Sequence, residues 1–246
     1  MEIFQPIVHD RHIVSELFEQ MKDRCILENA FKLPSNLTIV TCRNEGTLDD
    51  RIIPQLAGYE DTSILESNCE YLGIDLEVLT DSRLPWRNTF KFEMLKNYLD
   101  SGKCETEYFL CCDAIDVIFL HDPQDAIDLF LGFGCECLFM STNALDGYEC
   151  MPDMRAWVHT INRGIERYLN SGVFIGRTEF VKEMVNEGFK YAIPHGVTME
   201  EYSEYLRECP TDFPMGAQDK DIYRYIERKF YPKIKVDYLN RMAYRS

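Results

Sequence analysis

The chain has 246 residues, which suits one α/β domain with a small appendage, and its 46% hydrophobic and 28% charged content is that of an ordinary globular protein. The formal net charge of −16, from 26 basic and 42 acidic residues, repels nucleic acid and anionic membrane surfaces, so an anionic substrate needs a divalent cation, a single Lys or Arg, or a helix N-terminus to meet it. No apolar run approaches the roughly 20 residues that cross a bilayer. Residues 1–10 lack the basic and apolar regions of a signal peptide, which predicts a cytoplasmic protein whose ten cysteines are reduced.

Residues 11–31 are expected to form a helix packed outside the main domain, with Ile13, Leu17, Met21 and Cys25 near one face. Within residues 1–36 it would make a helical N-terminal extension. Pro34 breaks the chain. Residues 37–41 read as a strand entering the polar stretch 42–50. Ser63 and Glu66 match a capping box, Leu65, Cys69 and Leu72 follow at helical spacing, and Gly73 ends that helix. Residues 74–79 read as a second strand. Phe92, Leu95 and Leu99 mark a helix closed by Gly102. Residues 108–112 form a third strand, on which Cys111 and Cys112 point to opposite faces.

Asp122 and Pro123 open another helix, as an N-cap residue with Pro at the first helical position. Residues 137–141 are a fourth strand, with Cys135 and Cys137 on one face. No Cys-x-x-Cys pair occurs, so buried thiols are favoured over a zinc site. Strands and helices alternate to this point, which predicts a mixed, mostly parallel sheet flanked by helices, an α/β fold. Residues 143–167 show no clear period and are expected to be loop-rich. Residues 173–176 form a short strand, Thr178 caps a helix to about Phe189, and residues 193–216 are irregular. Residues 218–230 are helical with Ile222, Ile226 and Phe230 on one face, and residues 234–236 are a last strand. With no repeat or linker, residues 1–246 read as a single domain.

Ligands of α/β sheets bind beyond the carboxyl ends of the strands. Asp113 and Asp116 sit at such an end, between an apolar strand and the apolar run 117–120. A central strand rarely carries two unpaired acids, because burying them is costly. Oxygen ligands at this spacing can hold Mg²⁺ or Mn²⁺ across a turn, though the pair alone is equally compatible with turn capping. In a second segment, Leu169-Asn170-Ser171-Gly172 leads into Val173-Phe174-Ile175-Gly176. Gly172 and Gly176 would permit close backbone approach or positive φ, and Asn170 and Ser171 can hydrogen-bond sugar hydroxyls.

In this order the two segments resemble GT-A glycosyltransferases, and most of all the glycosyltransferase domain of procollagen lysyl hydroxylases and related collagen glucosyl- and galactosyltransferases. The resemblance spans about residues 37–240 and adds the Gln218-Asp219 pair at the start of a late helix. It implies transfer of a hexose from a UDP-sugar to an acceptor, with Mn²⁺ or Mg²⁺ as cofactor. By that resemblance Asp113 and Asp116 would hold the metal, and Thr41 and Arg43 would lie near uridine or its diphosphate. Lys91, Ser171 and Gly172 would meet the donor. Asp219 and Asn170 would face the sugar or the acceptor, with Asp219 the base if the reaction inverts. Residues 143–167 would serve as an acceptor-side lid. Trp86 and Trp157 could stack on a ring, but packing is favoured for both.

The chain departs from the family in one respect. Relatives complete the metal shell with a His after the last strand, and here no His follows residue 236. His121 is too far along the strand direction, and His195 is a loop candidate only. That departure keeps open a second expectation, a weak or inactive relative that binds a nucleotide sugar or a partner protein. A nucleotidyltransferase is a third, disfavoured because residues 41–47 carry only one Gly and one Arg where a Gly-rich basic loop is needed.

Overall fold

The computed structural model describes residues 5–45, 62–82, 86–144, 152–162, 164, 168–192 and 219–244. The elements run β1 (Ile7–His9), α1 (Val14–Asp23), β2 (Leu37–Asn44), α2 (Ile64–Leu72), β3 (Glu77–Asp81), α3 (Phe90–Asp100), β4 (Tyr108–Asp113) and β5 (Val117–Phe119). Then follow α4 (Pro123–Phe133), β6 (Cys137–Thr142), α5 (Pro152–Ile161), β7 (Tyr168–Arg177), α6 (Thr178–Phe189), α7 (Asp219–Phe230), β8 (Ile234–Asp237) and β9 (Ala243–Tyr244). His195, Gln218 and the segment 193–216 lie outside the described residues.

Six strands form one mixed sheet in the order β3-β2-β4-β7-β6-β8. The β2–β3, β2–β4 and β6–β8 pairs are parallel, and β7 runs antiparallel to both β4 and β6. The alternation of side chains along β4 divides the core in two. Phe109 and Cys111 face a layer built with α3, α6 and α7, where Phe92, Val181 and Ile226 are buried. Tyr108, Leu110 and Cys112 face the opposite layer, with Leu65 and Cys69 of α2 and Ile127 and Phe130 of α4. Cys111 and Cys112 thus divide between the two faces as the strand period requires. A small second sheet, β5-β1-β9, lies on the α2 side.

Local chemistry fixes several helix ends. Ser63 Oγ accepts from the Glu66 amide while Glu66 Oε1 accepts from the Ser63 amide, which closes the capping box, and Gly73 ends α2 in the left-handed region at φ 78°. Asp122 caps α4 through Gln124 N, Pro123 takes the first helical position, and Gly134 terminates it at φ 58°. No helix among the described residues is long and apolar enough to cross a membrane.

Several boundaries differ from the sequence expectation. Helix α1 covers only Val14–Asp23 and buries Val14, Phe18 and Met21. Positions 13, 17, 21 and 25 repeat every four residues and drift around a helix of 3.6 residues per turn, whereas 14, 18 and 21 stay on one stripe. Cys25, Leu27 and Asn29 have positive φ, so the chain turns there rather than continuing as a helix. The strand expected from Ile74 starts at Glu77. Residues 143–167 contain α5, which buries Met154 and Val158, so the segment is not all loop. Thr178 is the first helical residue of α6 and not its cap, a position held by Arg177 without a side-chain bond. Cys135 precedes β6 and packs in the α4 layer while Cys137 faces the other, so the two do not share a face. Strands β1, β5 and β9 have no counterpart in the expectation; at two or three residues each, none is long enough to show alternation.

Candidate functional site

Strand β4 is paired on both sides and ends at Asp113, opposite Cys42 of β2. The chain turns through Ala114 and Ile115 to Asp116 and continues into β5. Two backbone bonds pin that turn: Leu65 N at the start of α2 donates to Ala114 O at 3.2 Å, and Asp10 N donates to Asp116 O at 3.0 Å. Asp113 and Asp116 keep 28% and 21% of their side chains exposed, so both carboxylates can be reached.

Strand β1 runs antiparallel to β5 with His9 opposite Val117, which carries the His9 ring beside Asp116. His9 Nε2 lies 3.2 Å from Asp116 Oδ2 and 3.8 Å from Asp113 Oδ2, and the ring is 5% exposed. One ligand atom from each of His9, Asp113 and Asp116 falls within 4.8 Å of the others, the sole such cluster among the described residues. Two carboxylate oxygens and an imidazole nitrogen at that separation suit Mn²⁺, and the oxygens suit Mg²⁺. His9 is the residue that the sequence reading missed. His121 is exposed and faces Asp125 at 3.9 Å instead.

Lys91, near the start of α3, sits between two acids. Its Nζ donates to Asp113 Oδ1 at 2.6 Å and to Asp219 Oδ2, at the start of α7, at 3.3 Å. Burial alone would lower the Lys91 pKa, but Asp113 and Asp219 outweigh it and hold the ammonium well above its ordinary range. Burial pushes the Asp113 carboxyl up; Lys91 opposes the rise, Asp116 adds to it and His9 opposes it. Asp113 therefore turns one oxygen to Lys91 and the other to the His9–Asp116 side. Asp219 Oδ1 also accepts from Lys220 N at 2.9 Å, the usual work of an acid at a helix start.

The Leu169–Gly172 run is part of β7, not a lead into it, and it departs from the ladder there. Phe139 of β6 pairs with Phe174, but the next residue, Met140, pairs with Asn170. Ser171, Gly172 and Val173 therefore bulge away from β6. Asn170 Oδ1 accepts the Gly172 amide at 2.8 Å and so satisfies a donor that the bulge removes from the β6 ladder. Neither Gly172 nor Gly176 has positive φ, so close approach accounts for both glycines. A Cβ on Gly176 would lie 2.8 Å from Glu136 O, and one on Gly172 would lie 2.3 Å from His9 Cε1.

The remaining expected residues serve the frame. Thr41 is fully buried and its hydroxyl donates to Cys112 O at 2.8 Å. Arg43 Nε pairs with Glu66 Oε1 at 2.7 Å, so the arginine is tied to the capping box of α2. Cys42, beside Lys91, is a protonated thiol whose pKa burial raises to about 12. Trp86 Nε1 donates to Asn88 Oδ1 and its ring meets the edge of Phe90, while Trp157 packs with Met154 and Val158 and meets Tyr231 edge-on.

A family model described as the PLOD GT domain matches residues 61–191. Among solved structures, the crystal structure of mouse xyloside xylosyltransferase 1 in its apo form aligns with a TM-score of 0.44 at 10% identity, over 82% of this chain and 85% of that one. No curated protein matches the sequence.

Proposed function

The chain belongs to the family of PLOD GT domains, and from that premise we propose that it moves a hexose from a UDP-sugar to an acceptor, with Mn²⁺ or Mg²⁺ held by Asp113, Asp116 and His9. Membership makes it a glycosyltransferase of GT-A fold. The observation that carries the finer reading is the convergence of His9 on the two acids, because it supplies a third ligand side chain beside Asp113 and Asp116. It supports an active enzyme over the alternative of a weak or inactive relative that binds a nucleotide sugar or a partner protein.

Asp113, Asp116 and His9 would hold a divalent cation, which would supply positive charge to the leaving diphosphate. The chain's own residues supply the rest. Lys91 fixes Asp113 through one oxygen and leaves the other turned to the cluster. Its ammonium also offers the leaving diphosphate a second cation, in a chain whose net charge of −16 otherwise repels it. Asp219, held by Lys91 and Lys220 N, is the acid that faces the sugar or the acceptor. Asn170 has its carbonyl oxygen committed to Gly172 N and offers its amide Nδ2 to a hydroxyl. Thr41 and Arg43 act beneath the nucleotide by fixing the ends of β2 and α2, and Ser171 lines the bulge beside the donor.

The test is release of UDP from a panel of UDP-hexoses, with Mn²⁺ and with a chelator, in the wild type and in Asp116→Asn. Metal-dependent release that the variant lacks is the expected result. Absence of release from every donor, together with UDP binding indifferent to Mn²⁺, would overturn the reading.

A further inference from the structure

The glycine of the Leu169–Gly172 run faces a protein side chain. A Cβ on Gly172 would stand 2.3 Å from His9 Cε1, 2.7 Å from Nε2 and 2.9 Å from Nδ1, so the imidazole fills the space that any side chain at 172 needs. The ring cannot swing aside freely. It is 5% exposed, and its other nitrogen, Nδ1, lies 3.0 Å from the Met140 thioether. That contact leaves the other ring nitrogen, Nε2, turned to Asp113 and Asp116. Met140 and Gly172 both bear on the ring where the register changes at Phe139/Met140, which bulges Ser171, Gly172 and Val173 off β6.

We propose that Gly172 and Met140 are positioning residues for His9: the bulge of β7 makes a seat for the imidazole, and Met140 bears on its Nδ1 edge, so that Nε2 stays turned to Asp113 and Asp116. This rests on the metal reading above. It assigns the glycine of the motif to the third metal ligand, reached from β1, and not to close approach of the donor sugar. A side chain at 172 pushes the ring away from the two carboxylates, whereas the sugar-contact role would leave the metal untouched.

The experiment is a cycle of Gly172→Ala, His9→Ala and the double variant, with Met140→Leu as a volume-conserving partner in case Gly172→Ala folds poorly. Mn²⁺ affinity is read from the free-ion paramagnetic signal, and nitrogen ligation from pulsed magnetic resonance of bound Mn²⁺. Gly172→Ala is expected to weaken Mn²⁺ binding on the order of 10–100-fold, the usual scale for outer-shell support of a metal ligand, and to abolish the nitrogen coupling. In the His9→Ala background the same substitution changes Mn²⁺ affinity little. Met140→Leu keeps the volume, loses the contact between Nδ1 and the sulfur, and weakens Mn²⁺ binding in the same direction by a smaller factor. Full Mn²⁺ affinity and nitrogen coupling in Gly172→Ala, with only the donor KM raised, overturns the proposal and leaves the metal reading standing. A wild type that binds no Mn²⁺ overturns the metal reading instead, and is told apart because the His9–Gly172 contact is measured without metal, as the shift of the His9 ring resonances on Gly172→Ala.

Discussion

Replacing Lys91 by Met removes the one ammonium that the site holds and keeps the length of its stem. In the wild type that group is 14% exposed and pairs with Asp113 at 2.6 Å and Asp219 at 3.3 Å. Without it, Asp113 and Asp219 lose the cation that they share, with Asp116 beside them. Breaking a buried ion pair by deleting one member costs about 3–5 kcal/mol, and the lower end applies because Asp113 keeps 28% of its side chain in solvent. At roughly 2–4 °C per kcal/mol for a chain of this size, the melting temperature in a chelator falls by about 6–12 °C. A divalent cation replaces the lost charge, so saturating Mn²⁺ returns much of the deficit, while in the wild type it adds only its own binding energy. The sign with pH follows from the raised Lys91 pKa: the ammonium's contribution is complete below the unfolded value of 10.5 and is lost only as the pH climbs through the higher folded value. Thermal unfolding of both proteins in chelator and in Mn²⁺ at neutral pH decides the matter. Equal melting temperatures in chelator, or a deficit that Mn²⁺ leaves unchanged, would refute the account of Lys91 as the site's own counter-ion.

Other consequences can be measured as directly. Asp116→Asn is expected to lower metal-dependent UDP release by at least about 100-fold while leaving the fold intact, since Asp116 is 21% exposed; circular dichroism and the release assay together check this. His9→Ala should weaken Mn²⁺ more than it weakens UDP in the absence of metal, and calorimetry separates the two. Glu227 is 2% exposed and burial raises its pKa from 4.5 to about 8, so the folded state resists its ionisation. Stability is therefore lost as the pH rises from 4.5 toward 8, and Glu227→Gln should stabilise the protein on the order of 4 kcal/mol at pH 8 and not at all at pH 4. Denaturant midpoints that respond equally at both pH values would contradict this. Gly73→Ala places a side chain at φ 78° and 3.3 Å from Phe31 O, and should cost about 1–2 kcal/mol in equilibrium unfolding.

The sequence disclosed those parts whose chemistry is local. Ser63, Glu66 and Gly73 announce α2 because a capping box and a left-handed glycine are satisfied within ten or so residues, and Asp122-Pro123 announces α4 for the same reason. Asp113 and Asp116 were legible as acids interrupting an apolar strand. His9 was not, because its role is created by pairing with Val117 and by the space above Gly172, neither of which leaves a mark near residue 9. One clue was present: the resemblance calls for a His in the metal shell, and the sequence offers five histidines to choose from. The Asn170–Gly172 run was legible as a place of close approach, but what approaches it depends on a register shift between two strands that no period records. Thr41 and Arg43 lie where the resemblance put them along β2, yet their bonds to Cys112 and Glu66 show them working within the frame.

The three-stranded β5-β1-β9 sheet also has a kinetic meaning. It joins residue 7 to residue 119 on one side and to residue 243 on the other, so the strand that bears His9 closes loops that span most of the chain. Such closures are slow steps, because their entropy is lost before the contacts that repay it exist. During synthesis His9 is made early but cannot be fully braced until Ala243 has left the ribosome, by which time β2, β4 and the helices on them can already have condensed. The cluster at Asp113 and Asp116 is thus expected to mature after the strand and helices that frame it. Refolding followed by Mn²⁺ binding should lag refolding followed by helix content.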